Sequence, residues 1–236
     1  MAEHLVFTLA AALGAMGDVA GHERRGSWGW PGRSAILGLC AAAQGIRRDG
    51  DFAALDALSV AVAVFDAGQP LRDYHTVQTV PSAAAKRPQS RPEALRHARR
   101  ALNTTITLRD YRAGVLYGVA LRGAGLAGLK AALEAPVFTL YLGRKSCPLA
   151  APLAPHLIDA PDAASALAHL TLPPWWPQSD RVAHTLIEEA RAGQGGRVER
   201  RHDNALDRRK WHFAPRDWRI SPVQIAPGQG PEQGVM

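Results

Sequence analysis

A chain of 236 residues carrying a formal charge of +7 and a pI near 10.0 is long enough for one large domain, or for a domain with an appendage. Its 47% hydrophobic and 21% charged residues exclude a disordered chain. Two cysteines, neither in a Cys-x-x-Cys pair, exclude a disulfide framework and argue against structural zinc.

Leu5 to Leu9 is a short β-branched and aromatic run and is predicted to be the first strand. The apolar stretch Leu5 to Met16 imitates a signal-peptide core, but Glu3 precedes it and no basic residue does, so an internal strand is the simpler expectation. Ala10 to Gly29 is rich in small residues, holds the polar cluster His22-Glu23-Arg24-Arg25 and reads as a loop. Pro31 and Gly32 suit a helix start, and Ile36, Leu39, Cys40, Ala43 and Ile46 recur at helical spacing up to Gly45. Arg33 and Ser34 then fall in the first turn, where unpaired backbone N–H groups favour an anion. Asp49 to Ala57 reads as a short turn of helix, and Leu58 to Phe65 alternates as a strand with Val60, Val62 and Val64 on one face. Gly68-Gln69-Pro70 is a turn signal.

Up to Leu71 the chain is slightly acidic; between Arg72 and Arg112 nine basic residues face three acidic ones, a formal +6. This stretch opens on Leu71-Arg72-Asp73-Tyr74-His75-Thr76-Val77 and loses its apolar pattern through Ser82 to Pro92, past Lys86, Arg87 and Arg91. It recovers in Asn103 to Tyr111, which includes Arg109. A basic, Pro-interrupted excursion between strand-like segments makes a poor core and a good arm for a polyanion. A solvated loop with a helical stub is the plainer alternative.

Thr104 to Leu108 and Val115 to Leu121 are predicted to form a hairpin across Tyr111-Arg112-Ala113-Gly114. A helix follows over Leu126 to Leu133, then a last strand over Val137 to Leu142. The resulting order, β-α-β, insertion, β-β-α-β, is close to a ferredoxin-like split βαβ pattern, an α+β class. Gly143 to Leu149 is a compact basic turn with Arg144, Lys145 and Ser146. Pro161 to His169 reads as helical, and Pro173-Pro174-Trp175-Trp176-Pro177 as an extended anchor onto the body. Arg197 to Arg219 forms a second basic region, and the Gly/Pro/Gln-rich end reads as a disordered tail.

Three stretches together resemble one family, the CasD subunits of type I-E CRISPR Cascade complexes, of the RAMP group. They are Pro31 to Leu39 with Gly45-Ile46, Leu71 to Val77, and Tyr141 to Leu149. The family commonly has Thr-Arg-Ser-Gly where this chain has Gly32-Arg33-Ser34-Ala35, which keeps the basic helix start. The resemblance covers about residues 3 to 153 and only loosely the remainder. It implies a ferredoxin-like (RAMP/RRM-like) domain over 1–147 with a thumb inserted at about 77–103, a small C-terminal subdomain over 148–222 and a disordered tail over 223–236. It also implies a non-catalytic subunit that caps the 5′ handle of the CRISPR RNA (crRNA) in antiviral defence, while the sparse cysteine usage points to a reducing, cytoplasmic compartment. That subunit would dock the backbone subunit CasC and the large subunit CasA, meeting target DNA through the complex, with no membrane contact.

On these grounds Arg33, Arg72, Lys86, Arg87, Arg91, Arg109, Arg144 and Lys145 are candidates for phosphates. Tyr74, His75 and Tyr111 are candidates for base stacking, with Ser34, Thr76 and Ser146 for hydrogen bonds to RNA. No catalytic residue, metal or cofactor is expected. The alternative is a metal-independent endoribonuclease built on Tyr74 and His75 with Lys86 or Lys145. Neighbours in an extended segment point to opposite faces, which argues against one site for Tyr74 and His75. Whether Trp28, Trp30, Trp175 and Trp176 face RNA or a partner is left open.

Overall fold

The computed structural model of the chain describes residues 1–21, 23–191, 195–210 and 212–228. The fold is α+β: one curled ten-stranded sheet carries a few short helices. Its centre is β1 (Ala2–Gly14) beside the upper half of β6 (Asn103–Arg122), running antiparallel from Leu5↔Leu121 to Gly14↔Arg112. On one side β7 (His156–Ala160) pairs antiparallel with β1. On the other, β4 (Ser59–Asp66), which follows the short helix α2 (Ala53–Asp56), pairs antiparallel with β6. The order β7-β1-β6-β4 is therefore antiparallel throughout.

Both faces of this unit are covered. Helices α1 (Arg33–Ala43) and α4 (Leu126–Glu134) bury Ile36, Leu37, Cys40, Leu126 and Leu129 against Leu5, Phe7 and Leu9 of β1. On the opposite face α5 (Ala163–Leu167) and Leu170 pack on Val6, Ala10, Leu116 and Ala120. Burial on both faces explains why β1 shows no alternation. It also explains why Ala10 to Gly14, a run without β-branched residues, belongs to the strand and not to the predicted loop. Beyond it, β2 (Gly17–Ala20) and β3 (Arg24–Ser27) replace more of that loop, with β3 parallel to β6 at Arg24↔Leu108 and Arg25↔Arg109.

The sheet continues past β4 through β8 (Ala183–Glu189), β10 (His212–Ile225) and β9 (Arg197–Asp207). It curls until β9 reaches the start of α1. There Asp203 Oδ2 accepts from the Arg33 backbone N–H at 3.1 Å, so a carboxylate from another strand caps a helix whose own cap, Gly32, has no side chain. At the other end of α1 the Val137 and Phe138 N–H groups donate to the Ala43 and Ala42 carbonyls. That use of its backbone keeps 137–142 out of the sheet, and β7 takes the edge predicted for it. Strand β10 runs through Ile225, and the last eight residues of the expected tail, 229–236, lie outside the described residues.

The predicted hairpin across Tyr111 to Gly114 is instead one continuous twenty-residue strand, β6. Its turn signal marks a bend: Gly114 has φ +67°, and here the partner of β6 changes from β4 to β5 (Gln69–Thr79). Strand β5 pairs with β6 from Gln69↔Ala113 to Thr79↔Asn103. At about 3.3 Å per residue this ladder is roughly 30 Å long, and beyond Leu108, the last β6 residue paired with β3, it leaves the body as a two-stranded arm. Residues 80–102, including α3 (Arg91–Ala98), form its tip. Ser90 caps α3 by accepting from the Glu93 N–H.

Candidate nucleic-acid interface

Alternation along β5 and its register with β6 divide the arm into two faces. One carries Pro70, Arg72, Tyr74 and Thr76 opposite Arg112, Asp110, Leu108 and Ile106. The other carries Leu71, Asp73, His75 and Val77 opposite Tyr111, Arg109, Thr107 and Thr105. The predicted site residues therefore separate by odd and even number.

On the first face, at the root of the arm, two guanidinium groups converge on one carboxylate. Arg72 donates to Asp110 Oδ1 at 2.7 Å and Oδ2 at 3.2 Å, while Arg24 of β3 donates twice to Oδ2, at 2.9 and 2.7 Å. Arg112 donates to the Ala67 and Gly68 carbonyls and pins the bend beneath. Arg24, Ser27, Pro70, Arg72, Asp110 and Arg112 line a shallow hollow there. Asp110 is mostly shielded, whereas Arg24 and Arg72 retain 60% and 41% exposure. The cluster thus holds two oriented, accessible cations around one covered anion, a net positive seat suited to a phosphate. Tyr74, 68% exposed, stands one step further along this face next to Thr76, with exposed Ile106 across the pair. An aromatic face beside a cationic seat is what a splayed base and its phosphate require.

The hydrogen bonds from Arg72, with those from Arg24, outweigh desolvation and hold the Asp110 pKa down at about 2. The folded state binds this proton less tightly than an unfolded carboxyl with pKa about 4. The arrangement therefore contributes stability above that pH and loses it as pH falls from about 4 to about 2. In denaturant titrations, the stability advantage of the wild type over Asp110→Asn should shrink across that window. A gap independent of pH would contradict the paired geometry.

The second face is a support. Tyr111, expected to stack on bases, is only 7% exposed, and the Arg144 guanidinium lies 4.6 Å over its ring. Burial would raise the Tyr111 pKa, but the donors of Arg144, Ser146 and Arg109 outweigh it and hold the phenol below its ordinary value. Arg144 also donates to the carbonyls of Asp110 and Arg25, both at 3.3 Å, tying β3 to β6. Cys147 is buried beneath this group with Tyr111 and Ala15. Gly143 permits the turn: its φ is +87°, and a Cβ there would lie 1.7 Å from the Ala15 carbonyl oxygen. Further out on this face His75 pairs with Asp73, so Tyr74 and His75 do point apart.

The remaining candidates lie elsewhere. Lys86 and Arg87 are exposed at the tip, and Arg91 donates to the Gln78 carbonyl at 2.6 Å, stitching α3 to the arm. Lys145 and Ser146 are exposed on the basic turn. Arg33, expected on a phosphate, is 4% exposed. Its guanidinium donates to the Leu58 and Asp56 carbonyls, both at 2.6 Å, and lies 3.5 Å from Glu189, so it serves the interior. Ser34, half-buried, follows it in α1, away from the arm.

The second basic region is largely neutralised. Arg200 pairs with Asp217, Arg208 with Asp56, Arg216 with Glu189 and Arg219 with Glu188. Arg201 is buried, stacked 4.2 Å from Trp28 and 3.4 Å from Trp30, and Trp30 meets Trp218 edge-on at 5.3 Å. These three tryptophans are thus packing elements. Arg24, by contrast, was missed by sequence reasoning, because its partner Asp110 is brought to it only by the β3–β6 ladder.

Comparison with known proteins gives a consistent result. The family model described as CRISPR-associated protein (Cas_Cas5) matches residues 4–219. The CRISPR system Cascade subunit CasD of Escherichia coli (strain K12) is 32% identical over 187 residues, covering 71% of this chain and 76% of that protein. A chain solved in a CRISPR RNA-guided surveillance complex superposes with TM-score 0.68 at 24% identity, over 96% of this chain and 94% of that one. A crystal structure of a Cas protein superposes with TM-score 0.60 at 26% identity, over 97% and 100%.

Proposed function

Since the chain belongs to the CRISPR-associated Cas5 family and is of the CasD type, we propose that it is the non-catalytic subunit that holds the crRNA 5′ handle in a type I-E Cascade effector complex. On this proposal the body is a ferredoxin-like RAMP domain. The order β7-β1-β6-β4, with α1 and α4 on one face, supports that assignment. The arm is then the thumb. The observation that carries the proposal is the root of the arm, where Arg24 and Arg72 are aligned by Asp110 beside exposed Tyr74. A handle phosphate sits on the two guanidinium groups, a base stacks on Tyr74, and Thr76 lies in reach of the strand.

Lys86 and Arg87 at the tip add contacts through charge alone, without fixed register. The backbone subunit CasC and the large subunit CasA are the proposed protein neighbours, and the proposed compartment is the cytoplasm. The two cysteines are free and buried, in keeping with a reducing compartment. The placement of Tyr74 and His75 on opposite faces favours holding RNA over cutting it, because a base and a proton donor must meet at one phosphate.

The test is incubation of the purified chain with its repeat RNA, followed by gel analysis. The RNA is expected to be bound and left intact. Cleavage that disappears in His75→Ala would replace this function with an endoribonuclease.

A further inference from the structure

Strand β3 brings Arg24 to the root of the arm, yet little in its own sequence holds it there. Its four residues, Arg24-Arg25-Gly26-Ser27, bury no side chain, and its ladder with β6 has only the pairs Arg24↔Leu108 and Arg25↔Arg109. Its pairing with β2 is irregular between Gly17 and Ala20. A short ladder without apolar burial opens easily. The Arg24 and Arg72 guanidinium groups must nevertheless keep a fixed spacing if both are to face one phosphate.

The basic turn supplies a tie. Just past Arg25↔Arg109, where the ladder stops on the body side, the Arg144 guanidinium spans the two backbones. It donates to the Arg25 carbonyl of β3 and to the Asp110 carbonyl of β6, both at 3.3 Å. The turn that carries it is closed on itself: the Cys147 N–H donates to the Arg144 carbonyl and the Leu142 N–H to the Cys147 carbonyl, both at 2.8 Å. The Ala15 N–H donates to the Leu142 carbonyl at 3.1 Å and fastens the turn to the chain just after β1. The guanidinium itself rests on the ring of Tyr111, on the second face of the arm, whereas the Asp110 side chain and its two arginines are on the first. Arg144 therefore lies behind the seat, with its donors turned to carbonyls.

We propose that Arg144 is a positioning residue for handle RNA: it touches no nucleotide and sets the spacing of Arg24 and Arg72 by clamping β3 to β6 from behind. The clamp requires arginine. A planar fork meets two carbonyls at once while its face lies on a phenol ring; a lysine ammonium keeps the charge but not the fork. Arg144 then acts on the phosphate through Arg24 and not, as its place in a basic turn suggests, by contact. This inference deepens the proposed function and rests on it.

The test is a double-mutant cycle of Arg144→Lys with Arg24→Gln, read as affinity of the full chain for 5′ handle RNA across a salt series. Arg144→Lys is expected to weaken binding by on the order of 10-fold, with the slope of log K against log salt unchanged because no charge is lost. With Arg24 already glutamine, the same change should cost less than about 2-fold, since no guanidinium is left to place. Arg144→Gln should match Arg144→Lys in affinity and keep the wild-type slope. An equal cost of Arg144→Lys in both backgrounds overturns the inference, because Arg144 then acts independently of Arg24. Wild-type affinity in Arg144→Lys also overturns it, and a slope shallower by about 0.7 in Arg144→Gln makes the residue a phosphate contact instead. Melting temperatures separate general damage: a loss of affinity no larger than the unfolded fraction of Arg144→Lys makes the turn merely structural and sinks the inference. These outcomes leave the functional proposal standing. A wild-type chain that does not bind handle RNA, or binds it equally well as Arg24→Gln, overturns that proposal and the inference with it.

Discussion

Converting Arg24 and Arg72 together to glutamine is expected to weaken handle RNA binding by on the order of 100-fold, because two charge-assisted contacts to phosphate are lost at once. It also leaves Asp110 without its two guanidinium partners at the point where the phosphate would sit. A binding titration across a salt series gives a second readout. The slope of log K against log salt should become shallower by about 0.7, for the one phosphate no longer neutralised. Arg200→Gln removes an equally exposed arginine, but one paired with Asp217 on β9, and should leave affinity and slope close to those of the wild type. A free-energy loss in Arg200→Gln about half that of the double variant, as one charge against two requires, would mean that net charge and not the root of the arm governs binding.

Asp203→Ala is expected to be the most damaging single change to the fold, costing about 3–5 kcal/mol in denaturant unfolding. This carboxylate is 7% exposed and does three things at once. It caps α1 through the Arg33 N–H, accepts from the indole N–H of fully buried Trp218 at 3.0 Å, and offsets the buried cations Arg33 and Arg201. Alanine leaves both N–H donors without an acceptor and removes a negative charge from near the Arg33 and Arg201 guanidinium groups. Asp203→Asn keeps an acceptor for one donor and should lose less. A cost below about 1 kcal/mol for Asp203→Ala would show that the curl of β9 onto α1 is not what secures this end of the protein.

The elements legible in the sequence were those whose apolar spacing is local. Helix α1 follows from Ile36, Leu39, Cys40 and Ala43, β4 from Val60, Val62 and Val64, and α4 from Leu126, Leu129 and Leu133. Legibility stopped where long-range pairing decides. The alanines at the end of β1 are strand only because α5 and Leu142 cover them. The same Gly114 that suggests a hairpin turn bends a continuous strand, since β5 waits to pair with the far half.

The site divides in the same way. Arg72, Tyr74 and Thr76 could be read together from alternation within one segment. Arg24 could not, because Arg24-Arg25-Gly26-Ser27 carry no strand signal until β6 lies beside them. Arg33 illustrates the converse. A cation at a helix N-terminus looks like an anion site, but only the tertiary fold shows its guanidinium turned inward onto the carbonyls of Asp56 and Leu58.

Zero-length photocrosslinking of the handle nucleotides in the assembled complex, read out by peptide sequencing, bears most directly on where the guide's leading end is held. Crosslinks are expected on Tyr74 and its neighbours Arg72 and Thr76, with further signal from the tip around Lys86 and Arg87. Handle crosslinks that fall on the β9 face around Arg200, or on another subunit altogether, would contradict the account.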